Sequence, residues 1–293
     1  MSYGATARRV PAKGAKNIAD VDVYKAAIVC KTERGVDMVH EDIYSFSDFA
    51  KVCGSYMSSY LGAYAVNSFY KTLLPGVNVE MKVRPVIATD AVQAAGVIND
   101  GMASPQKVFD IKAALKGLAD KSAFGNKIGY KVSQSFNFEY KLAVDSTASA
   151  STTFQLTSVE HLKVDQLFKV VDTGTSKTEW AFLTGIVPAT NDITFAALSN
   201  ASAYAATTTT FYRADVSLYI AVKDETGVFI QQEAWLEYPF YKADTDGIAY
   251  AMNHAEEGSY YAKLTFNSAS TATPDKALPA AVTTWTALTA GAD

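Results

Sequence analysis

Apolar and polar residues alternate with a period of two over several stretches of this chain. In the longest, residues 128–144, Ile128, Tyr130, Val132, Phe136, Phe138, Tyr140, Leu142 and Val144 share one parity, interrupted only by Gln134. Such alternation predicts antiparallel strands with one covered face. Ala214, Val216, Leu218, Ile220 and Val222 repeat it, Asp224 to Gly227 supply a turn, and Val228, Ile230, Ala234 and Leu236 return the chain as a hairpin. Val77, Val79, Met81 and Val83 predict a half-buried strand ended by Pro85. A β-type run over residues 24–30 precedes it, and Tyr260, Ala262, Leu264 and Phe266 predict one more strand.

Elsewhere the period lengthens. Ser45 and Asp48 offer caps to a short helix that stops at Gly54. Met57, Leu61, Tyr64 and Ala65 fall at i, i+4, i+7 and i+8, a single apolar stripe that predicts a helix over residues 55–74, halted by Pro75 and Gly76. Thr89 and Asp90 predict a cap for a helix through Ile98, and Asp244 or Thr245 for another through Glu256. The β-α-α-β-α order of the first third predicts a mixed α/β layer, and the chain as a whole an α+β fold in which that layer joins an antiparallel sheet.

Composition then divides the chain. Ser, Thr and Ala crowd residues 146–153 and 201–210, and short β-like runs at 167–171, 180–183 and 192–195 lie between them. Residues 146–210 therefore read as an inserted small β-sandwich or barrel module. Five regions follow: a basic extended N-terminal arm over 1–20, an α/β domain over 21–110, an antiparallel β plus helix domain over 111–145 and 211–270, the insert at 146–210, and an Ala/Thr/Ser-rich linker over 271–293.

Charge and chemistry narrow the function. Charged residues are 19% of the chain, against about 25% in an average domain. Seventeen Tyr and 15 Phe add large rings. That combination excludes disorder and suits surfaces covered by neighbouring copies. Twenty-six basic against 30 acidic residues give a net charge of −4, which argues against direct nucleic-acid binding. No run of about 18 apolar residues predicts a membrane span, and the N-terminus lacks the apolar stretch of a signal peptide. Cys30 and Cys53 are expected to be buried, reduced thiols. Two Cys and three His leave little room for a disulfide scaffold or a zinc cluster, and no metal or other cofactor is expected. His254 and Glu257, three apart on a predicted helix, have the spacing of half a carboxylate metal site, but His40 and His161 supply no second half. His254 is better read as a surface residue near a helix C-terminus. Nucleophile-elbow, Walker and dinucleotide motifs are missing, so an enzyme is not expected, and no residue is assigned to catalysis.

A resemblance connects these segments. Ala26-Ala27-Ile28-Val29-Cys30-Lys31-Thr32-Glu33-Arg34-Gly35 resembles the strand and Thr-x-x-Gly turn that open the contractile phage tail sheath subunit. Residues 44–54 are similar to that family's Ser-Phe-x-x-Phe-x-x-x-Phe-Gly helix, with Cys53 in place of the last Phe. Residues 60–70 resemble the helix that follows, although Lys71-Thr72 stands where a glycine pair is common. Residues 79–86 resemble the family's x-V-x-R-V strand, with Arg84 in the charged position. Ala123-Phe124-Gly125-Asn126-Lys127-Ile128 resembles its x-W-G-N-x-I segment. Residues 216–235 echo a later hairpin, and 286–293 a boundary before the family's C-terminal assembly domain.

The resemblance implies a structural subunit of the virion tail, assembled in the host cytoplasm. Its partners would be other sheath subunits in stacked rings, the tail tube protein and the baseplate. Contraction of the polymer would drive the tube through the host envelope during genome delivery. Residues 1–20 would form an inter-subunit arm, with Arg8, Arg9, Lys13 and Lys16 pairing with acidic groups of a neighbour. The insert would sit on the outside of the sheath. The chain would be the front part of a longer subunit and monomeric in isolation. The alternative is a receptor-binding adhesin or baseplate protein, from which a helix-rich segment over residues 45–100 would separate a sheath.

Overall fold

The computed structural model of the chain describes residues 24–58, 60–74, 77, 79–146, 152–196, 198, 203–243, 246–254, 257–267, 274 and 277–292. Its first layer is a small mixed sheet. Strand β1 (Tyr24–Cys30) runs parallel to β3 (Val79–Pro85), in register from Tyr24↔Val79 to Cys30↔Pro85, and β2 (His40–Ile43) pairs antiparallel with the other edge of β3. Helices α1 (Phe46–Cys53) and α2 (Gly62–Thr72) pack on it over a core that includes Ile43, Phe49, Val66, Met81 and Val83. Helix α1 starts and stops where its sequence says it should. Ser45 Oγ accepts the Asp48 N–H at 3.1 Å, and Gly54 closes the helix at φ +85°, a conformation that suits glycine.

Beyond this layer the expected helices give way to strands. Residues predicted as the helix ending at Ile98 instead form β4 (Ala95–Asn99), which pairs antiparallel with β5 (Lys107–Leu115) at Gly96↔Ile111 and Ile98↔Phe109. The cap signal at Thr89 and Asp90 loses because Val97 and Ile98 are β-branched and meet partner strands. Ala95 and Thr289 exchange backbone bonds of 2.9 and 3.0 Å on the edge of β4 facing away from β5. The far edge of β5 pairs with β16 (Ala262–Phe266), and the short β6 (Leu118–Ala119) folds back on the end of β5. The helix expected up to Glu256 shrinks to α3 (Ile248–Met252). Strands hold 48% of the molecule and helices 12%. The α+β reading with its mixed α/β layer is therefore corrected to a strand-rich fold.

A third sheet has the order β15-β14-β7-β17. Strands β7 (Ile128–Ser135), β14 (Asp215–Lys223) and β15 (Phe229–Pro239) follow the predicted alternation. Strand β17 (Val282–Ala287) comes from the segment read as a linker, so that reading fails as well. Its composition is polar, but Leu278 and Leu288 are buried, and Leu288 N–H bonds the Ile128 carbonyl at 2.9 Å. One core, including Ile98, Phe109, Ile111, Ile128, Val132, Leu218, Ile220 and Leu264, fills the space between this sheet and β4-β5-β16.

The remaining strands form a six-stranded sheet in the order β8-β13-β10-β11-β12-β9, built from β8 (Glu139–Lys141), β9 (Thr153–Gln155), β10 (Leu167–Asp172), β11 (Lys177–Val187), β12 (Asp192–Phe195) and β13 (Thr209–Arg213). Its two ends meet. Ala143 N–H bonds Gln155 O at 2.8 Å and Thr157 N–H bonds Lys141 O at 2.9 Å, closing a barrel. Phe154, Phe168, Phe195, Phe211 and Tyr140 pack inside it, with neighbouring ring centroids 5.3–6.0 Å apart. At the neck between barrel and third sheet, Arg213 donates to both carboxylate oxygens of Asp215 at 2.7 and 3.0 Å and lies over the Phe138 ring. Burial there holds the Asp215 carboxyl above its ordinary range, against the pull of Arg213.

Candidate functional site

Among the described residues, an exposed apolar surface lies along the edge of β1 away from β3. Among the described residues β1 pairs only with β3, which leaves its other edge without a described partner strand. Beside that edge lies a cleft of about 480 Å³ lined by Ile28, Cys30, Tyr60, Leu61, Ala65 and Val86, among others. Leu61 is 73% exposed, Val29 62% and Tyr64 49%. Leu61 occupies the N-cap of α2, where no side chain caps the helix. A Ser or Asp there would stabilise the helix by about 1 kcal/mol, so leucine is unfavourable both as a cap and as an exposed side chain. Next to it, Gly62 allows the helix to approach β1. A Cβ at this position would come within 2.8 Å of the Lys31 carbonyl and 2.9 Å of Cys30 Sγ.

The stripe that predicted α2 faces the wrong way for a core. Leu61, Tyr64 and Ala65 are exposed and Met57 is half-buried, whereas Ala63 and Val66 carry the buried face. Helix α2 is thus apolar on two sides. It also starts later than expected, because Tyr56 leaves the helical path to sit between Phe46 (centroids 4.9 Å apart) and Tyr64 (4.6 Å). Large aromatic groups on an exposed face whose cleft holds one charged side chain, Lys31 over the Tyr60 ring, are the composition of a protein contact. Sequence reasoning missed this surface because one apolar stripe suffices to dock a helix. The overlooked signal was the second stripe, Ala63 and Val66, beside the first.

Other sequence candidates disperse. Arg8, Arg9, Lys13 and Lys16 lie outside the described residues. Helix α3 ends at Met252, so His254 and Glu257 do not share a helical face. His161 is exposed beside Glu160, and His40 is buried in β2. Among the described residues no group of three or more His, Cys, Asp and Glu is placed to hold a metal ion. Likewise, none of their helices is long and apolar enough to cross a membrane. Cys53 is buried and free, as expected, while Cys30 is only half-buried and opens onto the cleft. Burial pushes the Cys30 thiol up to about 11 and Cys53 higher still, which leaves both poorly nucleophilic.

The segment Phe124-Gly125-Asn126 forms a 3-10 turn before β7 and acts as a staple. Asn126 donates to the Gly291 carbonyl at 2.8 Å and accepts the Gly291 N–H at 2.9 Å. Phe124 lies over the guanidinium of Arg34. No model of a known protein family matches the chain, and no curated protein matches it.

Proposed function

We propose that the chain is a structural subunit of a contractile phage tail sheath, acting by polymerisation around a tail tube. The exposed apolar face of α2 beside β1 carries this reading, because an exposed side chain such as Leu61 gains by burial against another protein. The ordered sequence resemblance selects the kind of assembly. On this reading the partners are further copies of the chain, the tube protein and the baseplate, the location is the virion tail, and the role is neither enzymatic nor nucleic-acid binding. Residues 1–20, with Arg8, Arg9, Lys13 and Lys16, serve as an arm to a neighbouring copy.

Electron microscopy of the purified protein tests the proposal. Hollow tubes or stacked rings support it, whereas discrete trimers support the adhesin or baseplate reading. That second reading gains from one observation: among the described residues of 45–100, only α1 and α2 are helical, so the segment is less helix-rich than a sheath was expected to require. Deleting residues 1–20 is expected to leave sheath polymers that fall apart on contraction, and intact polymers would remove the arm from the proposal.

A further inference from the structure

The first layer meets the β4-β5-β16 sheet at a single buried ion pair. Arg34 donates to Asp120 at 2.9 Å and to the carbonyls of Lys51, Ala114 and Tyr260 at 3.2, 2.9 and 2.6 Å. Both charged side chains are almost fully buried. Gly35 N–H and Ser122 Oγ complete the Asp120 carboxylate at 2.8 and 2.7 Å, and Lys121 N–H returns to the Gly35 carbonyl at 2.8 Å. Close to this node lies His40, 4% exposed, whose Nε2 is buried with no hydrogen-bond partner.

We propose that His40 is an acid-operated release for this joint: neutral, it stays buried on the cleft it shares with Leu115 and Tyr260, and protonated, it drives the first layer away from the segment carrying Asp120. The charged groups around it leave an imidazolium poorly compensated. Inside, it feels Arg34 and Asp120, and Asp120 is already committed to three donors. Outside, Glu41, Asp42 and Lys116 line the adjoining cleft, with Lys51 at the end of α1 beside it. On β3, Lys82 and Arg84 flank its register partner Val83, and they pair with Glu41 and Asp37. Burial first, and the Arg34 charge second, push the imidazole from its ordinary 6.5 down to about 4. The sign follows from linkage. Between those values the open state binds the proton and the closed state does not, so closure weakens as pH falls from about 6.5 to about 4. The closed-to-open ratio should fall by roughly two orders of magnitude from pH 7 to pH 4.

The test uses the whole chain, which contains three histidines. Imidazole NMR should give His40 a midpoint near 4. Amide protection at Gly35 and Lys121 should drop about 100-fold between pH 7 and pH 4 in the wild type, while barrel amides stay protected. It should hold steady in His40→Gln and His40→Phe. A His40 midpoint near 6.5, or the same pH-dependent loss in either variant, overturns the proposal. If neither variant folds, the wild-type midpoint alone decides.

Discussion

Arg34 concentrates more of the architecture than any other described side chain. Its guanidinium satisfies a carboxylate and three carbonyls while lying over the rings of Phe124 and Tyr261. Only a planar group with five donors can serve so many acceptors. Asp120→Asn should therefore cost about 3–5 kcal/mol in a urea titration, because it strands a buried cation. Arg34→Lys should fail to restore stability, since an ammonium cannot reach carbonyls on three different segments. Nothing in the sequence around Arg34 announced this role. The residue was visible only as part of a turn motif, and its partners lie 17 to 226 positions away.

At the scale of elements, legibility depended on whether a signal was local. Helix α1 was readable because its cap, its apolar face and its stop are contained within ten residues. Strands β7, β14 and β15 were readable because period-2 alternation survives any choice of partner. The second helix was read from its exposed stripe, and β4 was taken for a helix because a cap signal was given more weight than strand partners that only the fold supplies. Leu61 allows a direct test of the candidate surface. Leu61→Ser should raise the stability of the isolated chain by about 1 kcal/mol in thermal melts by supplying the missing cap. The same change should weaken self-association in sedimentation. A variant that is more stable and assembles normally would remove Leu61 from the interface.

At the scale of the molecule, the described residues form three cores: the first layer, the two-sheet body and the ring-filled barrel. Phe211→Ala should cost about 3–5 kcal/mol, and hydrogen exchange should place the loss in barrel amides and leave Ile128 to Val132 protected. The C-terminal segment has the opposite, long-range character. Ending the chain at residue 278 removes β17 and the Asn126–Gly291 staple, and uncovers edges of β4 and β7. Light scattering should then report aggregation, the expected fate of unpaired edges. By itself the sequence determined what short-range physics controls: the alternating strands, the cap and stop of α1, the short strands of the insert, and a surplus of rings over charges. Only the tertiary structure decided that a polar tail closes a sheet, that an apolar stripe faces solvent, and that His40 lies unpartnered near a buried Arg34. Each of these depends on a partner brought from far along the chain, and no local pattern specifies a partner.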